Sequence, residues 1–139
     1  YEIRLSLVGS EMCIRDSGGS AASSNGNLYL LARLVHGEAR GEPYNGKVAV
    51  AAVVLNRVRS ASFPNTIAGV IYQSGAFDAV SDGQINLAPD DESIRAARDA
   101  MNGWDPSNGC LYYYNPATAT SRWMLSRPVL LRIGAHAFC

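Results

Sequence analysis

Glu38 is the residue of this chain whose surroundings best suit chemistry. It stands in the segment Val35-His-Gly-Glu-Ala-Arg-Gly-Glu-Pro43, at the end of an apolar helical pattern and just before a glycine and proline break. A carboxyl group at a helix C-terminus feels the negative end of the helix dipole, and apolar neighbours remove water from it, so its pKa rises. An acid that stays protonated near neutral pH can donate a proton to a glycosidic oxygen.

Two other interpretations of this acidic segment stay open on the residues alone. Glu38 could instead form an ordinary ion pair, for which the candidate partners are Arg33, Arg40 and Arg57. Glu42 is a competing acid, but it follows the glycine break. It is expected to cap the next segment or to pair with Lys47.

The other titratable groups have weaker surroundings. His36 and His136 are single histidines of the kind that more often fill structural positions. A thiol–imidazole pair of Cys110 with His136 is not expected, because nothing around the cysteine indicates an activating helix N-terminus. Three further carboxylates in segments that could line a cleft lack an apolar setting, and they are Asp78, Asp82 and Asp105.

Aromatic side chains concentrate late in the chain and suggest a surface that grips sugar rings. Alternation along a strand would point Tyr112 and Tyr114 to one face and Tyr113 to the other. One face must be core, and the other would be free to bind a ligand. Plain packing remains the alternative for each aromatic side chain. The residues predicted to bind substrate are Phe77, Tyr112, Tyr114, Asn115 and Trp123.

Three long helices are predicted to position these residues. The first begins at Leu28 with Asn27 as its N-cap and ends near Gly41. The second covers residues 45–59 and is so rich in alanine and valine that it should be the buried central helix. The third follows Asp90 as its N-cap.

Shorter elements fill the rest of the domain. A short helix capped by Asn65 is expected to reach about Tyr72, and residues 73–89 are expected to form an ordered loop. Strands are predicted over residues 111–114, 129–133 and 136–138. Helices followed by short strands indicate an α+β, helix-dominated fold with a small antiparallel sheet near the C-terminus.

The composition suits one globular domain without a charged partner. At 139 residues, with 47% apolar residues, the chain is long enough for one core and too short for two ordinary domains. Its 12 basic and 12 acidic residues cancel, so no overall charge draws it to nucleic acid or an anionic membrane. No apolar run approaches the roughly 20 residues that span a bilayer. We expect a monomer.

The three cysteines do not indicate a metal site. Cys13, Cys110 and Cys139 lack metal-ligand spacing, so a zinc site is not expected. We expect no metal and no cofactor. A disulfide between Cys110 and Cys139 remains open, since sequence cannot supply its geometry.

Residues 1–26 differ from the rest and are predicted to be disordered. Residues 18–26 are small and polar, as in a linker. The segment Leu7-Val-Gly-Ser-Glu-Met-Cys-Ile-Arg-Asp16 is similar to a translation of a transposon-based sequencing adapter, so about residues 1–17 are interpreted as non-biological read-through. On this interpretation the domain is residues 27–139, and any export signal lies outside this sequence.

That domain resembles a known family. Residues 35–58, which include His36-Gly-Glu-Ala-Arg-Gly-Glu42, are similar to the core motif of the spore cortex-lytic cell-wall hydrolases of SleB/CwlJ type. The similarity continues in order through residues 63–67, 76–77, 82–85, 102–106, 111–121, 123, 126–128, 133–134 and 136–139. It covers essentially all of residues 28–139, and motifs this long and this ordered are highly specific.

The resemblance implies a lysozyme-like catalytic domain, related to lytic transglycosylases, that is exported and acts on peptidoglycan of spore cortex or cell wall. The implied target is the bond between N-acetylmuramic acid and N-acetylglucosamine, and the implied acid is Glu38. Hydrolysis normally needs two carboxylates, and no second one of equal quality is present. The favoured mechanism therefore uses Glu38 as sole acid and base and yields 1,6-anhydromuramic acid. The alternatives are a two-carboxylate muramidase and a non-catalytic peptidoglycan-binding module.

Overall fold

The computed structural model describes residues 17–139, with side chains from residue 25 onward. The helices are α1 (Ser17–Glu38), α2 (Tyr44–Arg59), α3 (Ile67–Ile71), α4 (Asp78–Ser81), α5 (Asp91–Met101) and α6 (Arg122–Ser126), with a 3-10 turn at Gln84–Asn86. The strands are β1 (Tyr113–Tyr114), β2 (Leu131–Ile133) and β3 (His136–Phe138). The predicted α+β, helix-dominated class is confirmed.

Helix α2 is the centre of the helical part. Residues 48–55 are buried on every side of it, because valine and alanine leave it almost no polar face. Helices α1 and α5 pack against α2 and against each other. Full burial of one valine side chain contributes about 1.5–3 kcal/mol, so this helix is a major source of stability. Its predicted bounds were correct to within one residue.

Helix α1 begins earlier than the sequence suggested. It starts at Ser17 and not at Leu28, so Asn27 is not an N-cap. Residues 18–26, which were predicted to be a disordered linker, are helical. The segment contains no proline, and extending an existing helix adds one hydrogen bond for each residue fixed. The adapter interpretation concerns residues that, apart from Ser17, lie outside the described part.

Side-chain caps fix the starts of α3 and α5. Asp90 caps α5 as predicted, by accepting a hydrogen bond from the Ser93 N–H at 2.8 Å. Thr66 caps α3 by accepting from the Gly69 N–H at 2.9 Å, so the predicted cap at Asn65 was one residue early. The expected loop over residues 73–89 contains α4 and the 3-10 turn.

The sheet is antiparallel and has the order β1-β3-β2. Tyr113 lies opposite Phe138 on one side of β3, and Ile133 lies opposite His136 on the other. All three strands fall inside the predicted segments. The central position of β3 means that it holds both neighbouring strands in place.

The turn between β2 and β3 is tied to the start of α2. Gly134 has a φ of +57°, and a Cβ there would collide with the Glu42 carboxylate. The Ala135 N–H donates to Glu42 Oε1 at 2.9 Å. Glu42 therefore supports this turn and does not pair with Lys47, whose buried ammonium instead donates to Glu92 on α5 at 3.0 Å.

Three further findings for the described residues concern membrane-spanning helices, metal-ligating clusters and disulfides. None of the helices there is both long and apolar enough to cross a membrane. No group of three or more metal-ligating side chains comes together within the same range. Cys110 and Cys139 are both buried and both free.

Candidate active site

A cleft of about 590 Å³ lies beside the C-terminal end of α1. Its lining comes from the end of α1, from the segment with α4 and the 3-10 turn, and from residues 113–124, with Arg57 and His136 as additional side chains. This volume lies within the roughly 300–1,000 Å³ that is usual for ligand sites.

Glu38 is partly buried in this cleft and is held at both carboxyl oxygens. The Tyr113 hydroxyl donates to Oε1, and the Ala79 N–H at the start of α4 donates to Oε2 at 2.8 Å. No ion pair joins Glu38 to an arginine among the residues that the structure describes, so the ion-pair alternative is not realised there.

Burial raises the pKa of Glu38 above its ordinary value of 4.5. The hydrogen bonds from Tyr113 and Ala79 act in the opposite direction, while the negative charges of Asp78 and Asp82 raise the pKa further. The net result is a raised pKa, because loss of hydration disfavours the charged form more than the two donors favour it. A fraction of Glu38 thus remains protonated at a pH where an exposed glutamate would be ionised.

Gly37 allows α1 to approach α4 closely enough for this arrangement. A Cβ at Gly37 would lie 2.7 Å from the Ala79 Cβ and 3.4 Å from the Gln84 Cβ. Contacts this short would force α4 away from α1. Since the Ala79 N–H is one of the two donors to Glu38, the glycine is needed for the geometry of the acid.

Tyr113 belongs to the site, although alternation along the strand assigned it to the opposite face from the predicted binding residues. Its ring lies 4.9 Å from the His136 ring and 5.7 Å from the Phe138 ring, measured between centroids. Burial and the neighbouring Glu38 carboxylate raise the pKa of Tyr113, so its hydroxyl keeps its proton. The sequence could have indicated this role, because a buried tyrosine hydroxyl needs a hydrogen-bond partner.

Three of the five predicted binding residues line the cleft, and two do not. Phe77, Tyr114 and Asn115 line it together with Glu38. Tyr112 and Trp123 are outside it and pack against each other with ring centroids 5.2 Å apart. The prediction that these two bind substrate is therefore not supported by the lining of this cleft, and it stays a prediction. Main-chain alternation put Tyr113 and Tyr114 on opposite faces of the strand, yet both line the cleft, so alternation could not identify the tyrosine that contacts Glu38.

Two arginine side chains stack on the Tyr112 ring and hold it outside the cleft. The Arg127 guanidinium lies 4.5 Å from the Tyr112 ring centroid, and the Arg57 guanidinium lies 5.1 Å from it. Arg57 is buried, donates from Nε to the Leu111 carbonyl at 2.7 Å, and also lies over Phe77. Tyr112 thus helps to hold the chain that leads into β1 and is not part of the cleft lining.

Of the three other candidate acids, two line the cleft and one does not. Asp78 and Asp82 are exposed and line the cleft, where Asp82 accepts hydrogen bonds from Gln84. Asp105 is elsewhere and organises a turn by accepting from Asn56, Ser107 and Gly109. Neither exposed aspartate has the enclosed setting of Glu38.

The two histidines differ in their position relative to the cleft, and Cys110 lacks the setting of a nucleophile. His36 is outside the cleft, with its Nδ1 3.8 Å from Asp90, whereas His136 lines the cleft. Burial raises the pKa of the Cys110 thiol, which argues against a thiolate nucleophile there.

The site and fold together define a class of protein. A helical domain that holds one carboxyl group of raised pKa in an open cleft, with hydroxyl and aromatic groups around it, is suited to acid catalysis on a polymer that lies across the cleft. The profile of a family described as Cell Wall Hydrolase matches residues 41–139. The chain belongs to this family.

Individual relatives agree with that assignment. The chain is 58% identical over 116 residues to a spore cortex-lytic enzyme of Bacillus cereus, covering 84% of this chain and 45% of the relative. It thus spans less than half the length of that relative. Its fold is similar to that of the catalytic domain of the Bacillus cereus SleB protein, with 57% identity, a TM-score of 0.79 and coverage of 83% and 90% of the two chains.

A second solved structure is similar to the same extent. This is the catalytic domain of the germination-specific lytic transglycosylase SleB from Bacillus anthracis, with 57% identity and a TM-score of 0.78. The likeness covers 81% of this chain and 93% of that one.

Proposed function

We propose that this domain cleaves the glycan strands of peptidoglycan as a lytic transglycosylase, with Glu38 as its only acid and base. The observation that carries the proposal is the setting of Glu38, a partly buried acid of raised pKa that contacts two donors inside the cleft. Similarity to a spore cortex-lytic enzyme and to a lytic transglycosylase supports it.

In the first step Glu38 acts as an acid. Its proton passes to the glycosidic oxygen between N-acetylmuramic acid and N-acetylglucosamine, and the bond from that oxygen to C1 of muramic acid breaks. Glu38 becomes a carboxylate as this happens. The Tyr113 hydroxyl and the Ala79 N–H already point at its oxygens, so they stabilise the charge without rearrangement.

In the second step the same carboxylate acts as a base. It removes the proton from the C6 hydroxyl of muramic acid, whose oxygen then bonds to C1 and closes the 1,6-anhydro ring. Glu38 is protonated again and ready for another cycle. No water is consumed, and no second carboxylate is required.

Other cleft residues are assigned to substrate binding on the basis of their placement. Phe77, Tyr114 and Asn115 line the cleft around Glu38. The segment that follows contributes hydroxyl groups, from Thr118, Thr120 and Ser121. Aromatic rings and neutral polar groups are the partners that suit an uncharged sugar ring.

We infer that the protein acts outside the cell, on spore cortex or cell wall, after export. This inference rests on the names of the relatives and on the family description. Peptidoglycan is the partner that it implies, and the domain would act as a monomer.

The test is product analysis with purified peptidoglycan and spore cortex. Wild type should release fragments that end in 1,6-anhydromuramic acid, and Glu38→Gln should release none. Glu42→Gln is the matched control, because Glu42 is the neighbouring acid and lies outside the cleft; it should retain activity. Products with reducing muramic acid ends alone would refute transglycosylation. Intact binding without release by wild type would refute catalysis.

A further inference from the structure

His136 lines the cleft, yet the two steps described above do not use it. It is the first residue of the central strand β3 and is only 8% exposed. Its ring packs beside Tyr113, the donor to Glu38, and meets the Phe138 ring edge-on at 90°. His136 and Glu38 thus line the same cleft, and Tyr113 contacts both of them.

The two ring nitrogens of His136 have different environments. Nδ1 is buried and has no hydrogen-bond partner. Nε2 is not buried without a partner in this way, and His136 lines the cleft, so we infer that Nε2 is the nitrogen that faces the cleft. A buried N–H without a partner is rarer in proteins than a buried acceptor without one, so the proton of the neutral ring belongs on Nε2.

The imidazole is also held in its neutral form. Burial lowers the pKa of His136, and the Glu42 carboxylate, which acts in the opposite direction, does not overcome this effect. A neutral ring with its proton on Nε2 presents one N–H donor to the cleft.

We propose that the His136 Nε2–H donates a hydrogen bond to the acetamido carbonyl oxygen of the sugar bound beside Glu38, and that this contact makes the cleft selective for N-acetylated glycan. The proposal rests on the proposed function for the nature of the polymer. The acetamido carbonyl is a strong neutral acceptor, and peptidoglycan sugars carry it next to the bond that is cleaved.

The chemistry of the alternative substrate explains the selectivity. A sugar without its acetyl group carries an ammonium at the same position, which has three donors and no acceptor. This ammonium would face the His136 Nε2–H, which is also a donor. The hydrogen bond would therefore be lost, and the two N–H groups would repel each other. Discrimination of this kind needs a repulsive element as well as an attractive one.

The experiment measures binding, so it does not depend on turnover. In the Glu38→Gln background, calorimetric titration compares an oligomer of N-acetylglucosamine with the same oligomer after removal of its acetyl groups. His136→Phe keeps an aromatic ring against Tyr113 and removes the donor. We expect it to weaken binding of the acetylated oligomer roughly fivefold to tenfold. Binding of the deacetylated oligomer should not weaken and should rise slightly, because the opposed donor is gone. His136→Gln, which restores an N–H donor, should recover part of the affinity.

His36→Gln is the matched control, because this histidine lies outside the cleft. It should leave both affinities unchanged, and thermal melting should show that all the variants are folded. An equal loss of affinity for both oligomers in His136→Phe would overturn the proposal. So would an unchanged preference of this variant for the acetylated oligomer. Equal binding of the two oligomers before His136 is changed would also overturn it.

A spectroscopic measurement tests the same proposal independently. The nitrogen chemical shifts of His136 should identify a neutral ring with its proton on Nε2, and the Nε2–H signal should move when the acetylated oligomer binds. A proton on Nδ1 would overturn the proposal. Failure of the cleavage reaction itself would appear separately, as absence of fragment release by wild type.

Discussion

Glu38 and Tyr113 are 75 residues apart in the chain, and the hydroxyl of one donates to the carboxyl group of the other. This contact joins the helical part of the domain to the sheet at the point where the acid lies. The hydroxyl favours the carboxylate form, whereas burial favours the neutral acid, so the acidity of Glu38 is set by the balance of the two.

Replacing Tyr113 with phenylalanine should therefore change both rate and pH dependence. The pKa of Glu38 should rise further, because the donor that lowers it is gone. The alkaline limb of the pH–rate profile should move to higher pH. We expect kcat to fall roughly tenfold to a hundredfold, because the carboxylate formed in the first step loses a hydrogen bond.

Tyr112→Phe is the control for this variant, because it is the same change one residue away and outside the cleft. Its profile should match that of wild type. A Tyr113→Phe profile with an unmoved alkaline limb would show that the hydroxyl does not control the acidity of Glu38.

The close approach of α1 to α4 gives a second prediction. Gly37→Ala should push α4 away and lengthen the hydrogen bond from the Ala79 N–H to Glu38, since the new Cβ would lie 2.7 Å from the Ala79 Cβ. Fragment release should drop strongly while circular dichroism shows the helices retained. Gly26→Ala, in the same helix but with nothing within 4 Å of its Cβ, should keep full activity. Similar activity of the two variants would argue against this role for Gly37.

Glu38→Gln should make the fold more stable as it removes activity. The pKa of Glu38 is raised in the folded protein, so the folded state favours the protonated form. That contribution is complete below the ordinary pKa of 4.5 and is lost as pH rises through the raised value. Glutamine mimics the neutral acid at every pH.

Thermal unfolding measures this difference. At about pH 8 the variant should melt roughly a few degrees above wild type, and at about pH 4 the two should coincide. A variant less stable than wild type at the higher pH would mean that burial does not dominate the acidity of Glu38.

The Asp105 turn should contribute stability with the opposite pH dependence. Burial raises the pKa of Asp105, but hydrogen bonds from Ser107, Asn56 and Gly109 outweigh this effect and leave the pKa below its ordinary value of 3.8. The contribution is therefore present above 3.8 and lost as pH falls through the lowered value.

Asp105→Asn places an amide donor against these donors and should cost about 1–3 kcal/mol of unfolding free energy at neutral pH. Urea unfolding at neutral pH and in acid is the measurement. Asp91→Asn, at an exposed position in α5, should change the stability less. An equal effect of the two substitutions would contradict a structural role for the turn.

The sequence was most informative where local rules decide the outcome. Helix α2 followed from its apolar composition, the start of α5 from the Asp90 cap, and β3 from its pattern. Glu38 attracted attention through the helix end and its apolar neighbours. Each of these signals acts over a few residues.

Contacts between distant segments could not be predicted in the same way. Period-two alternation separated Tyr113 from Tyr112 but gave no means of deciding which one would meet Glu38. Arginine stacking on Tyr112 depends on Arg57 and Arg127, which come from different parts of the chain. The need for glycine at residue 37 likewise depends on α4 arriving against α1.

The central place of β3 has a consequence for the order of folding. Neither β1 nor β2 has another strand to pair with in this sheet, so both must wait until β3 is in position. The helices can assemble earlier, because their own hydrogen bonds are local and cost less loop-closure entropy. Glu38 would then be enclosed before Tyr113 reaches it. The hydrogen bond from Tyr113 to Glu38 thus forms in the last stage of folding. Recovery of activity during refolding should therefore lag behind recovery of the circular dichroism signal of the helices.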